Sequence, residues 1–131
     1  MSKVEEKKAA RDAEIVASCD SGIAAVLESP LVQAAELLLD DVAAELFHVE
    51  HGDPLNYVRT QVLRSTGSIA ANLAEGIGKA YVDDRRRFWL TARGSAYESV
   101  IWLRALQKTE QTEACIALCK QIDAAILAMT Q

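Results

Sequence analysis

The sequence predicts an all-α protein: an antiparallel up-down four-helix bundle with an extra N-terminal helical extension. Three observations carry that expectation. Apolar residues recur every three or four positions through most of the 131 residues, the period of a helix face. No stretch shows the strict polar–apolar alternation of a half-buried strand. The segments between helical patterns are short, which favours neighbours that run up and down beside one another.

Residues 1–11 alternate charges with few apolar anchors and are expected to fray or stay disordered. From Asp12 to Glu28, Ile15, Cys19, Ile23 and Val26 keep helical spacing, although Gly22 weakens the pattern. Ser29-Pro30 has two readings. It is an N-cap followed by Pro at the first helical position, or Pro30 kinks a single helix running from residue 12 to 48. The expected organisation is an N-terminal extension over 1–30, partly helical or disordered, and a four-helix bundle domain over 31–131.

Leu31 to His48 reads as a helix with Leu31, Ala35, Leu38, Val42 and Leu46 on one face and Glu36, Asp40 and Asp41 turned to solvent. Val49 to Asp53 contains turn residues and reads as a loop. Asp53-Pro54 then opens a helix expected to reach about Ala80. Its apolar stripe is Val58, Val62, Thr66, Ile69, Leu73 and Ile77; Gly67, Ala70, Ala71, Ala74 and Gly78 form a stripe of small residues; and Arg64, Ser68, Asn72, Glu75 and Lys79 form a polar edge. Gly76 and Gly78 near its end predict a close backbone approach or an early stop.

Asp83 and Asp84 suit the start of the next helix, expected from Asp84 to Lys108. Phe88, Ala92, Ala96, Val100, Leu103 and Leu106 make its expected core face. Arg86, Leu90, Arg93, Tyr97, Ile101 and Arg104 form a second row, and Gly94 reads as a point of contact with a neighbouring helix. Thr109 caps a last helix from Glu110 to about Met129, whose Cys115, Leu118, Ile122, Ala125 and Met129 keep heptad spacing.

No reaction centre emerges, and the chain is expected to be no enzyme and to need no cofactor. His48 and His51 with Cys115 and Cys119 miss the usual zinc-ligand spacings. Glu45-Leu46-Phe47-His48 has the di-iron Glu-x-x-His spacing, but no second copy accompanies it. Gly76-Ile77-Gly78 lacks the surroundings of a phosphate loop, and no nucleophile elbow occurs. The cysteines Cys19, Cys115 and Cys119 read as small buried hydrophobes in a reducing compartment. No apolar run approaches the roughly 18 residues of a membrane span, and the charged N-terminus has no apolar signal core. The expected location is the cytoplasm, with no membrane partner.

The net charge of −5 is unevenly placed. Residues 55–108 hold nine Lys/Arg against four Asp/Glu, about +5, while the rest holds five against fifteen, about −10. Arg64, Lys79, Arg85, Arg86 and Arg87 are therefore candidate nucleic-acid contacts, if the fold gathers them. The plainer reading of Arg85-Arg86-Arg87 is a solvated helix end, partly neutralised by Asp83 and Asp84. Ser68, Asn72 and Glu75 read as a structural edge paired with Arg93 and Ser95 of the next helix, because a half-buried carboxylate needs a cation.

Arg64, Ser68, Ile69, Asn72, Ala74, Glu75, Gly76 and Gly78, followed by Phe88, Ala92, Arg93, Gly94, Ser95 and Glu98, form two linked motifs. They resemble the pattern of the four-helix-bundle proteins of the 23S ribosomal RNA intervening-sequence type, over about residues 31–129. Leu73 and Lys79 are conservative replacements, whereas Ala70-Ala71 stand where that family often has Pro-Ser, and Leu63 where it often has a basic residue. The resemblance implies a small cytoplasmic bundle that closes into a homopentamer, with Ser68, Asn72, Glu75, Gly76, Arg93, Gly94 and Ser95 as a structural motif. Related accessory variability determinant (Avd) proteins of diversity-generating retroelements resemble basic pentamers that engage nucleic acid and a reverse transcriptase. The expected function is a ring-forming RNA- or DNA-associated accessory protein. The alternative is a structural or protein-interaction oligomer with no nucleic-acid role.

Overall fold

The computed structural model describes residues 2–46 and 52–129. Five helices and no strand occur among them: α1 (Lys3–Glu28), α2 (Pro30–Leu46), α3 (Asn56–Ile77), α4 (Val82–Ala105) and α5 (Thr109–Leu127). Residues 47–51, which hold both histidines, the end of the expected Leu31–His48 helix and the first part of the expected Val49–Asp53 loop, lie outside the described residues.

Ser29 decides between the two readings of the N-terminal region. Its extended backbone (ψ 120°) ends α1, while its hydroxyl accepts from the Val32 N–H at 3.3 Å and caps α2. Pro30 is the first residue of α2, where its missing N–H costs nothing. The two helices meet at a 65° bend. Residues 3–11, expected to fray, are helical instead. Ser2 and Glu5 form a reciprocal capping box, with Ser2 N–H donating to Glu5 Oε2 at 2.9 Å and Glu5 N–H to Ser2 Oγ at 3.1 Å. No residue of α1 is buried, so Cys19 is exposed rather than packed away.

Helices α2 to α5 form a helical bundle. Among the described residues α2 meets α3, α3 meets α4, α4 meets α5, and α5 returns to α2, while α1 touches only α2 and α3. The core lies between α2–α5: Val32, Ala35, Leu38 and Val42 from α2, Val62, Ile69 and Leu73 from α3, Ala92, Ala96 and Leu103 from α4, and Cys115, Leu118, Cys119 and Ile122 from α5. The expected stripes of α2 and α3 are these faces, and that of α5 holds through Ile122, beyond which Ile126 rather than Ala125 and Met129 packs against the core. On α4 the expected stripe holds from Ala92 to Leu106, and its first position differs: Trp89, not Phe88, packs against the core. Among the described residues no single helix is long and apolar enough to cross a membrane.

The connections are locally specified. Helix α3 starts at Asn56, two residues later than expected, because Asp53 Oδ1 accepts from Leu55 N–H at 2.9 Å and makes a turn there. That hydrogen bond, reinforced by Arg59, holds the Asp53 carboxyl below its ordinary pKa. Gly78 ends α3, sooner than Ala80. Between α4 and α5, Gln107 takes a left-handed conformation (φ 58°). Its N–H donates to the Arg104 carbonyl at 2.9 Å and the Lys108 N–H to the Leu103 carbonyl at 3.0 Å, the paired bonds of a Schellman stop.

Candidate nucleic-acid interface

Beneath any interface lies the seam between α3 and α4. Arg64 pairs with Glu98, Ser65 with Ser99 at 2.7 Å and Ser68 with Ser95 at 2.8 Å. Further along, the Leu73 carbonyl accepts from Trp89 Nε1 at 3.1 Å and the Gly76 carbonyl from Arg85 Nε at 3.3 Å. Numbers rise along α3 as they fall along α4. Ser65 and Ser99 are fully buried, and each hydroxyl lies within hydrogen-bonding distance of the other and of a backbone carbonyl of its own helix, so that neither is left without a partner. Neither serine stood out in the sequence, since a lone Ser on a helix gives no sign of which neighbour it meets.

Gly76 is where the seam closes most tightly. A Cβ built there would stand 2.5 Å from Trp89 Cδ1 and 3.2 Å from the Arg85 carbonyl oxygen. The glycine makes the notch that admits the indole, so the expected close approach occurs here. Gly94 behaves oppositely: nothing lies within 4 Å of a Cβ at that position, so it contacts no helix of its own chain. The polar edge also divides differently from expectation. Ser68 does meet Ser95, and Asn72 Nδ2 donates to the Ser68 carbonyl at 2.8 Å. Glu75, however, is exposed, and Arg93 turns to α5, where it pairs with Asp123 at 3.2 Å and lies 5.6 Å from the Tyr97 ring centre. The expected Glu75–Arg93 pair does not form, because Arg93 faces the opposite side of α4 from α3.

The five candidate cations do not form one cluster. Arg64 lies beside Glu98, far along α3 from Lys79. Successive helical residues point about 100° apart, so the three adjacent arginines diverge. Arg85 reaches the Gly76 carbonyl, Arg86 reaches Asp83 and the Met129 carbonyl, both across about one hydrogen-bond length (3.2 and 3.3 Å), and Arg87 reaches Asp84 at 2.5 Å. What the fold does bring together is Lys79 with Arg87. A shallow groove at the α3–α4 turn is lined by Asn72, Lys79, Asp84, Arg87, Phe88 and Thr91. Lys79 Nζ sits 4.9 Å above the Phe88 ring, and the Arg87 side chain is 73% exposed. Phe88, displaced from the core, thus becomes the aromatic floor of a groove with two cations. Such a surface can take a phosphate on its cations and a flat ring on its aromatic face, with Asp84 opposing the negative charge.

On α5, Cys115 and Cys119 are buried one turn apart. The hydrogen bond to Cys119 and burial push the Cys115 thiol far above its ordinary pKa, while the same bond lowers that of Cys119. Cys115 Sγ also lies 3.3 Å from the Ala96 carbonyl oxygen.

The described residues thus form an all-helical bundle in which α3 and α4 are fastened by small and polar residues, with a groove holding two cations at their turn. The family model described as 23S rRNA-intervening sequence protein matches residues 32–127, and the chain belongs to that family. The match covers α2–α5 and leaves α1 outside. No curated protein and no solved structure matches the chain.

Proposed function

We propose that this chain is a non-enzymatic, antiparallel up-down four-helix bundle that assembles in the cytoplasm into a ring-like homo-oligomer, a pentamer, and serves as an RNA-associated accessory protein. The observation that carries the assembly is the outward row of α4. Leu90, Tyr97 and Ile101 are 39%, 50% and 58% exposed, and with Gly94 they repeat at the 4-3-4 spacing of a packing seam. A contiguous apolar row rimmed by Arg86, Arg93 and Arg104 is an interaction surface rather than a solvated face. The descending pairings of α3 against α4, and the cyclic order of neighbours, support the up-down arrangement. The pentamer count rests on the family resemblance. RNA association rests on the family's description and on the groove holding Lys79, Arg87 and Phe88.

The second reading is a structural or protein-interaction oligomer without a nucleic-acid role. Intramolecular pairing of Arg64, Arg86 and Arg87 with carboxylates favours it. Binding of RNA and of duplex DNA at two salt concentrations separates the readings. Wild type is expected to bind RNA in a salt-sensitive manner, and a Lys79→Glu/Arg87→Glu variant to lose roughly tenfold or more. Absence of salt-sensitive binding by wild type removes the nucleic-acid role. Arg85 and Arg86 are poorer probes, because reversing them removes bonds to Gly76 and Met129 as well as charge.

A further inference from the structure

Helix α1 has no obvious reason to be stable where it stands. Its 26 residues extend about 39 Å at 1.5 Å per residue, yet every residue from Ser2 to Ser21 is exposed. Only near its end do Gly22 and Val26 become partly covered. Helices of globular proteins owe most of their stability to a packed face, and α1 leaves Ile15, Val16, Ile23 and Leu27 at 52–61% exposure. The arm carries the apolar row of a packed helix without a partner.

We infer that α1 packs along the outward row of α4 in a second copy of this chain. This deepens the oligomer reading above and rests on it. Spacing is the first support. Val16, Asp20, Ile23 and Leu27 follow a 4-3-4 repeat, as do Leu90, Gly94, Tyr97 and Ile101, and both rows span eleven residues. Gly94, with open space where a Cβ would stand, is a hole that a branched side chain such as Ile23 fills.

Charge is the second support. Between residues 12 and 28, α1 carries Asp12, Glu14, Asp20 and Glu28 and no Lys or Arg. None of these four is in an ion pair among the described residues, and neither is Arg104 of α4. Run antiparallel, the two rows set Leu27 on Leu90, Ile23 on Gly94, Asp20 on Tyr97 and Val16 on Ile101, and bring Asp12 to Arg104 one turn further on. The acidic 12–28 segment of the arm thereby meets the face of α4 that carries Arg104.

The occupant is another copy because α1 touches α2 and α3 of its own chain and not α4. One surface gives and a different one receives, so the contact is heterologous, the type that closes into rings. The arm lies outside the 32–127 family match.

Two full-length chains test this, both carrying Cys19→Ser to remove the exposed native thiol: one with Val16→Cys, the other with Ile101→Cys. Coexpressed and mildly oxidised, they are expected to give a disulfide-linked dimer of one chain of each kind, absent from either chain alone. Val16→Asp, at a site 60% exposed within its own chain, is expected to raise the concentration for half-dissociation at least ~10-fold by light scattering, with helicity unchanged. An oligomer that gives no cross-link, or that Val16→Asp leaves unmoved, overturns the docking of α1 and leaves the oligomer standing. A monomeric wild type overturns both.

Discussion

At 26 and 24 residues, α1 and α4 are the two longest described helices, yet they treat their apolar residues in opposite ways. Helix α4 buries Ala92, Ala96, Ser99 and Leu103 and holds Leu90, Tyr97 and Ile101 outward. Helix α1 buries nothing and displays its large side chains on an arm. Burial along α4 therefore follows the face a residue occupies rather than its hydrophobicity. Small residues line the inner face because the α3–α4 seam is close enough for one serine hydroxyl to reach another, with Ser65 and Ser99 at 2.7 Å. Leu90, Tyr97 and Ile101 are left for the outside, while Leu103 is buried and Trp89 packs against the core. A helix can thus be fully committed to the core and still offer a second seam.

The sharpest way to break this contrast is to remove one large side chain from each helix. Trp89 packs against the core, donates to the Leu73 carbonyl and fills the notch at Gly76. Trp89→Ala is expected to cost about 3 kcal/mol in urea unfolding, the low end for an aromatic truncation because the ring is only partly buried. Ile15→Ala, on the exposed arm, is expected to stay within about 0.5 kcal/mol under conditions where the chain is monomeric. Equal losses from the two would mean that α1 packs on its own bundle, against the exposure seen here.

A smaller effect, of opposite sign, sharpens the account of how α4 ends. Gln107 holds a left-handed conformation at φ 58°, which costs an L-residue roughly 1–2 kcal/mol and glycine almost nothing. Gln107→Gly is expected to stabilise the fold by about 1 kcal/mol, part of the gain being returned as extra freedom in the unfolded chain. A destabilised variant would show that the Gln107 side chain holds the turn in a way the backbone bonds do not require.

Much of the fold was legible because helix existence is a local property. Val62, Thr66, Ile69 and Leu73, or Cys115, Leu118 and Ile122, announce their faces by period alone, and all are buried. The capping box of Ser2 and Glu5 was written just as locally, but the alternating charges that follow looked like a frayed end. What local pattern could not supply was rotation and direction. Choosing Phe88 over Trp89 is a one-residue error, about 100° of rotation, and it is settled by a notch thirteen residues upstream at Gly76. The groove suffered similarly. A run of three arginines looks like one patch in sequence, whereas the helix sends Arg85, Arg86 and Arg87 to three different partners. Lys79 and Arg87 meet only because the α3–α4 turn folds back on itself.

The smallest expected effect bears on the shared motif itself. Glu75 and Arg93 stand at matching places in the two linked motifs, and the polarity of the edge favoured a pair between them. In the fold, Arg93 crosses to Asp123 at 3.2 Å, with side chains 37% and 40% exposed. A pair that open to water is worth about 0.2–1 kcal/mol, since solvent and salt screen it. Double-mutant cycles should therefore return a coupling in that range for Arg93→Ala with Asp123→Ala, diminishing in high salt. The cycle for Arg93→Ala with Glu75→Ala should return none. Coupling in the second cycle that vanishes on dilution would instead place Glu75 against Arg93 of another copy, which would bring the motif's carboxylate into the same α4-facing assembly as the arm.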